Sequence, residues 1–337
     1  MSADEQMTDP RDESAFAALV ERHRGELQVH CYRMLGSLED SEDLVQETFL
    51  RAWRKRASFS FEGRSSLRAW LYRIATNACL DVLRGRPRRV LPPQVAAAAD
   101  PSVAPAPPAD LPWLEPYPDR LLESIAPRED EPGAVVVARE TIELAFLAAI
   151  AHLPPRQRAV LMLRDVLGWS AKDTAAMLDG SVAAVNSALQ RARATLQDRL
   201  PERRTEWARS SGPSDEQREL LRRYLDAHER ADAEALAELL REDARLTMPP
   251  HPTWYAGRDA IMTAMQPGFD PAFGRLRSVV TGANMQPAVA HYLRAPGEAE
   301  YRPLALDVLR IEGGRVAEIT SFVLPELFAD FGLAPTL

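Results

Sequence analysis

The chain has 337 residues, 46% hydrophobic and 27% charged, with a formal net charge of −8 at pH 7. That length calls for two or three domains, and the apolar share is enough for folded cores. An acidic total excludes a general electrostatic grip on nucleic acid, so any DNA contact must rest on local basic patches. No apolar run is long enough to span a bilayer, and the acidic start MSADEQMTDPRDESAF lacks an apolar signal core. A soluble cytoplasmic protein is expected, with no membrane partner. Cys31 and Cys79 stand apart in apolar helical patterns and outside any metal-ligand spacing. They read as free thiols in a reducing compartment, and no metal or cofactor is expected.

In chain order, Phe16, Leu19, Val20, His23, Leu27, Cys31, Met34 and Leu35 recur with helical period, and Gly36-Ser37 closes that single helix. A second helix from near Ser41 buries Leu44, Val45, Thr48, Phe49, Ala52 and Trp53. Its outer face carries Glu42, Asp43, Gln46, Glu47 and Arg51. A third helix starts at Ser65 or Ser66 and buries Leu67, Trp70, Leu71, Ile74, Ala78 and Val82. Arg68, Arg73, Asn77 and Arg84 lie on or near its outer side, behind a loop holding Phe59 and Phe61.

Charge is unevenly placed along this segment. Residues 64–89 carry Arg64, Arg68, Arg73, Arg84, Arg86, Arg88 and Arg89 against Asp81, whereas Glu39 to Glu47 is acidic without a base. Such asymmetry suggests two partners of opposite charge. Basic residues, an amide and nearby aromatics are suitable parts for holding unstacked bases and their phosphates. Equally, a charged face can be merely solvated and the aromatics can be core.

Residues 90–138 are rich in Pro and Ala, so the first half reads as an extended, semi-rigid spacer without a core. Within it, Trp113, Leu114, Tyr117, Leu121 and Leu122 form an aromatic and apolar cluster that resembles a docking peptide. The stretch from Leu153 to Leu200 reads as a helix-turn-helix. Ser170 with Asp173 starts its first helix, Asp179-Gly180 supplies the turn, and Ser181 is a candidate N-cap for the last helix. Val182, Val185, Leu189, Ala192 and Leu196 make the inner stripe of that helix. Asn186, Ser187, Gln190, Arg191 and Arg193 project outward, and these types bond phosphates and base edges in a major groove.

SLEDSEDLVQETFLRAWR, FEGRSSLRAWLYRIATNACLDVLR and the block from Leu153 to Leu196 together resemble regions 2 and 4 of an extracytoplasmic-function (ECF) sigma factor, of the SigG-like group. The resemblance implies that residues 11–89 form all-α sigma region 2 and residues 139–200 all-α sigma region 4. Asp43, Gln46, Glu47 and Phe49 would dock on the β′ clamp helices of core RNA polymerase, with the β flap a further contact. Arg64, Arg68, Arg73 and Asn77, with the loop from Ala57 to Ser65, would open the −10 element. Ser181, Ala183, Asn186, Ser187, Gln190, Arg191 and Arg193 would meet the −35 element, so promoter DNA is the second implied partner. One departure is that Ala184 and Ala188 stand where many members have a threonine and an arginine. Trp113, Leu114 and Tyr117 resemble the linker signature of the extended group, which traverses the polymerase and touches the C-terminal domain.

After a polar hinge at 201–214, residues 215–337 read as helices followed by a curved antiparallel sheet, an α+β cone. MPPHPTWYAGRDAI, GANMQPAVAHY and the terminal hairpin turning at Gly313-Gly314 resemble the SnoaL-like branch of the NTF2 fold. Such cones enclose pockets, and His251, Trp254, Tyr255, Asn284, Tyr292 and Asp307 are the residues expected near one, with a small-molecule ligand as a candidate partner. The function expected is a sigma factor modulated by its own fused C-terminal domain, and not an enzyme. Two alternatives stay open: a polymerase-independent DNA-binding regulator, and an NTF2-like small-molecule enzyme or sensor fused to a sigma-like half.

Overall fold

The computed structural model describes residues 13–56, 64–123, 142–199 and 214–337. The chain forms two compact units, Met1–Arg88 with Leu121–Trp207, and Arg89–Arg120 with Ala208–Leu337. Phe59, Phe61, most of the 201–214 hinge, residues 124–138 of the expected linker and 139–141 of the expected region 4 lie outside the described residues.

The first unit begins with α1 (Glu13–Glu21), α2 (Arg24–Leu35), α3 (Leu38–Lys55) and α4 (Arg64–Gly85). The single N-terminal helix expected from periodicity is two helices, broken at Arg22-His23. There the His23 amide bonds the Val20 carbonyl, and the ring turns back to Glu26 at 2.5 Å. The apolar stripe continues across the break, which is why period alone could not reveal it. Gly36 takes the left-handed conformation (φ 74) and returns its N–H to the Tyr32 carbonyl. Ser37 then N-caps α3, its hydroxyl accepting from the Asp40 amide at 3.2 Å, so α3 starts at Leu38 and buries Ser41 within it.

A short α5 (Asp119–Glu123) precedes the second helical group: α6 (Leu144–Ile150), α7 (Pro155–Leu161), a π-helical turn (Met162–Val166), α8 (Ala171–Met177) and α9 (Val182–Arg199). Within the first unit the two groups are fastened together. Arg158 of α7 is buried, and its guanidinium donates to the Met34 carbonyl at the end of α2 (2.6 Å) and to the Ala151 carbonyl (2.9 Å). A cation over the carbonyl ends of helices is favourably placed. Burial pulls its pKa down to about 10, which leaves it charged. Elsewhere in this unit the Tyr72 and Trp169 rings meet with centroids 5.9 Å apart.

The second unit contains α10 (Asp215–Glu229), α11 (Ala233–Leu239), β1 (Leu240–Thr247), β2 (Trp254–Ala256), α12 (Arg258–Met265), β3 (Arg275–Ala283), β4 (Gln286–Arg294), β5 (Arg302–Glu312), β6 (Arg315–Phe322) and α13 (Leu327–Asp330). A reciprocal box between Ser214 and Gln217 starts α10. The six strands order as β2-β1-β6-β5-β4-β3. β1 lies parallel to β6 and the other pairs are antiparallel, so the sheet is mixed rather than wholly antiparallel. The cause is topological: β1 enters straight from α11 and takes its place beside the last strand, too far along the chain for a hairpin. Leu220, Tyr224, Leu236, Tyr255, Leu309 and Ile319 fill the core between helices and sheet.

Residues 89–120, whose first half reads as a spacer and whose second half carries the expected docking cluster, are part of this second unit. Val90 and Trp113 form a parallel bridge, Arg89 pairs with Glu115 at 2.7 Å, and Trp113, Leu114 and Tyr117 are buried. Backbone groups carry much of the docking: Ala99 N–H bonds the Trp254 carbonyl, Ala109 N–H the Pro250 carbonyl and Ala106 N–H the Thr253 hydroxyl. At the β3–β4 turn, Asn284 exchanges two hydrogen bonds with the Tyr117 backbone, at 2.8 and 2.9 Å. Asn284 and Met285 both adopt φ 57. That conformation costs a residue such as Met about 1 kcal/mol or more, and Asp119 holds it by accepting the Met285 N–H at 2.8 Å.

Candidate promoter and polymerase interface

On α3, Asp43 and Gln46 are exposed on the solvent face beside Glu42. Glu47 is half-buried and paired with Arg51 at 2.7 Å, and Phe49 is half-buried under the Arg24 guanidinium, 5.1 Å from its ring. Among these residues the open polar surface is therefore Glu42, Asp43 and Gln46, with the half-buried Phe49 beside it.

On α4, the four residues expected at the −10 element have different fates. Arg64 opens the helix, and its side chain is outside the described residues. Arg68 turns inward: its Nε donates to Glu26 at 2.8 Å and its guanidinium lies near Tyr72 and Trp169. Burial pushes the Glu26 carboxyl up, but the His23 hydrogen bond and Arg68 outweigh it and hold the pKa at about 2. Arg73 is exposed yet donates to Asp179 at 2.7 Å. Asn77 is half-buried further along the helix. Neither Glu26 nor Asp179 carried a sequence signal as a partner, since each lies far along the chain from its arginine.

The helix-turn-helix forms as its caps specify. Ser170 accepts the Asp173 amide, Asp179 takes φ 50, Gly180 N–H closes on the Ala175 carbonyl, and Ser181 accepts the Ala184 amide at 3.2 Å to start α9. Val185, Ala188, Leu189 and Ala192 are buried. Ser181, Ala183, Asn186, Ser187, Gln190 and Arg191 are exposed, while Arg193 makes a two-pronged pair with Asp165 at 2.8 and 2.7 Å. Val182 departs from the expected inner stripe and is 44% exposed, because it sits on the first turn before the helix reaches its packing partners. Since Ala188 faces inward, its departure from the family removes no cation from the outer face.

The residues expected around a pocket are dispersed. His251 donates to the Ala106 carbonyl (2.7 Å) and Trp254 to the Ala96 carbonyl (2.9 Å), so both hold residues 89–120. Asn284 is buried at the turn that grips Tyr117, and Tyr255 belongs to the core. The Tyr292 hydroxyl bonds the Ala334 carbonyl at 2.8 Å. Only Asp307 enters an interior polar cluster, with Tyr224 at 2.8 Å and His291 at 3.0 Å. A shallow, open depression of about 430 Å³ lies elsewhere, lined by Ala233, Ala237, Met262, Thr263 and Gln266 among others.

A polymerase-directed transcription factor is the class that a paired α4 and helix-turn-helix define. Residues 19–89 match the sigma-70 region 2 family, 143–196 sigma-70 region 4, and 221–319 the SnoaL-like domain. The chain is 45% identical over 335 residues to the ECF RNA polymerase sigma factor SigG of Mycobacterium tuberculosis, covering 98% of this chain and 87% of the relative. SigW of Bacillus subtilis is 29% identical over 190 residues, covering 56% of this chain and 90% of that relative. The crystal structure of the M. tuberculosis ECF sigma factor SigJ shares the fold, with TM-score 0.59 and 22% identity over 96% of this chain and all of that one. The chain belongs to the ECF RNA polymerase sigma factors. As such it binds core RNA polymerase and directs promoter-specific transcription initiation. No helix among the described residues is long and apolar enough to cross a membrane.

Proposed function

We propose that the α3 face at Asp43, Gln46, Glu47 and Phe49 docks core polymerase in the cytoplasm. In this reading Arg64, Arg68, Arg73 and Asn77 serve the −10 element, and the outer face of α9 from Ser181 to Arg193 serves the −35 element. The second unit regulates these readers instead of catalysing a reaction, and His251, Trp254 and Asn284 act as clamps on the connector. The observation that carries the proposal is the Arg73–Asp179 contact at 2.7 Å. Elements 25 base pairs apart are separated by about 85 Å of duplex at about 3.4 Å per base pair. Two readers that touch cannot occupy both, so region 2 and region 4 must part on the promoter. Residues 89–120 lie between them in sequence and are anchored on the cone through Trp113, Leu114, Tyr117 and Asn284. Holding or releasing that segment changes the length of connector free to let the readers part.

Run-off transcription with reconstituted core polymerase tests this reading. The full chain supports transcription, and Asn284→Ala, which loosens the connector clamp, changes the rate. Failure to bind core would overturn the docking assignment, and an unchanged rate in Asn284→Ala would overturn the regulatory one. A gel shift with and without core separates this from a polymerase-independent regulator, which would bind duplex tightly alone.

A further inference from the structure

Inside the second unit, His228 of α10, His291 of β4 and Asp307 of β5 bring their ligand atoms within 4.8 Å of one another, and all three are more than nine-tenths buried. Each residue is oriented by a neighbour. The His228 Nδ1–H donates to the Tyr224 carbonyl at 2.9 Å, and a carbonyl can only accept, so Nε2 is the ring nitrogen left with its lone pair. His291 Nδ1 meets the Ser278 hydroxyl at 2.9 Å and its Nε2 faces Asp307 Oδ2 at 3.0 Å. Tyr224 donates to the same Oδ2 at 2.8 Å, Ser321 stands opposite Asp307 across β5 and β6 and helps keep it ionised, and Asp307 Oδ1 makes no close hydrogen bond among the described residues. A buried carboxylate oxygen short of a close donor has room in its coordination for a water or an ion.

We propose that His228, His291 and Asp307 form a divalent transition-metal site of zinc type that ties α10 to the sheet. Two imidazoles and one carboxylate are a donor set that zinc takes, with a fourth position left for water or for the Tyr224 hydroxyl. Metal–nitrogen bonds of about 2.0–2.1 Å place tetrahedral ligand atoms about 3.3 Å apart. His291 and Asp307 stand at 3.0 Å, close to that separation, and the 4.8 Å envelope closes by about 1.5 Å. The outer hydrogen bonds to the Tyr224 carbonyl and to Ser278 are the kind that fix tautomer and ring orientation in metal sites. An organic ligand fits less well, because the cluster is sealed by its own side chains.

The full chain, stripped with EDTA and returned to metal-free buffer, is titrated with Zn2+ and its retained metal measured after gel filtration. One ion per chain is expected, with affinity falling about tenfold or more in His228→Gln and Asp307→Asn and unchanged in Cys31→Ser. No retained ion in the folded wild type overturns the proposal, as does loss of binding in Cys31→Ser with both cone variants unaffected. Should the cone variants fail to fold, Co2+ bound to the wild type decides. Tetrahedral bands without thiolate charge transfer support the site, and thiolate bands or no bands overturn it.

Discussion

The helices α4 and α9 of the first unit, proposed above to face the promoter, differ in what their polar side chains are doing. On α4, Arg68 is committed to Glu26 beside Trp169 and Arg73 to Asp179. On α9, Asn186, Ser187, Gln190 and Arg191 face solvent. Asp179 sits in the turn that leads into α9, so the helix proposed to read the −35 element carries the carboxylate that occupies Arg73. In a chain of net charge −8, the proposed reading makes promoter affinity depend on which arginines are released, more than on how many there are.

Breaking the fastening between the two groups should have the largest effect. Arg158→Met leaves the buried Met34 and Ala151 carbonyls without their donor, a loss of about 3 kcal/mol at 1.5–3 per charged hydrogen bond. Urea unfolding followed by circular dichroism should show an earlier first transition. Acid tests the same region through His30, which is buried against Thr76 and whose pKa is driven from 6.5 down to about 3 by burial, Arg33 and Arg68. The folded state refuses a proton that the unfolded chain accepts, so stability is full above pH 6.5 and erodes as pH falls toward 3. At pH 5 the loss is about 2 kcal/mol, at 1.36 per pH unit, and His30→Asn should flatten that part of the stability curve.

The α9 side is sharpened by Gln190→Ala and Asn186→Ala. Each is expected to lower transcription about tenfold at promoters that depend on the −35 element, as lost base contacts of 1–3 kcal/mol imply. Arg191→Ala should weaken binding without regard to sequence. The smallest effect belongs to Asp179→Asn, which keeps a residue tolerant of φ 50 and removes the charge. An exposed pair contributes about 0.5 kcal/mol, so transcription should rise about twofold, whereas Arg73→Ala should lower it. Equal signs for the two variants would contradict the gating role of their contact.

Helical regions, caps and the helix-turn-helix were legible because they depend on neighbours in sequence: Gly36-Ser37, Ser170 with Asp173, and Ser181. The anchors Trp113, Leu114 and Tyr117 were legible as a docking cluster, whereas the docking of residues 96–109 was not, since Ala96, Ala99, Ala106 and Ala109 bind through backbone groups that every residue has. The pairs Arg68–Glu26 and Arg73–Asp179 were hidden by their separation along the chain. So was the His228, His291 and Asp307 cluster, whose members come from three elements and meet only through the register of β4 with β5. The parallel β1–β6 pairing likewise follows from the closing of the sheet and not from any local pattern.

The most direct test of the parted-reader account joins Arg73→Cys and Asp179→Cys with a cleavable bifunctional thiol reagent and measures run-off transcription by the holoenzyme. If the readers must part, the crosslinked chain still binds core polymerase but gives no transcript, and reductive cleavage restores it. Full transcription from the crosslinked chain would contradict the claim that the readers must part.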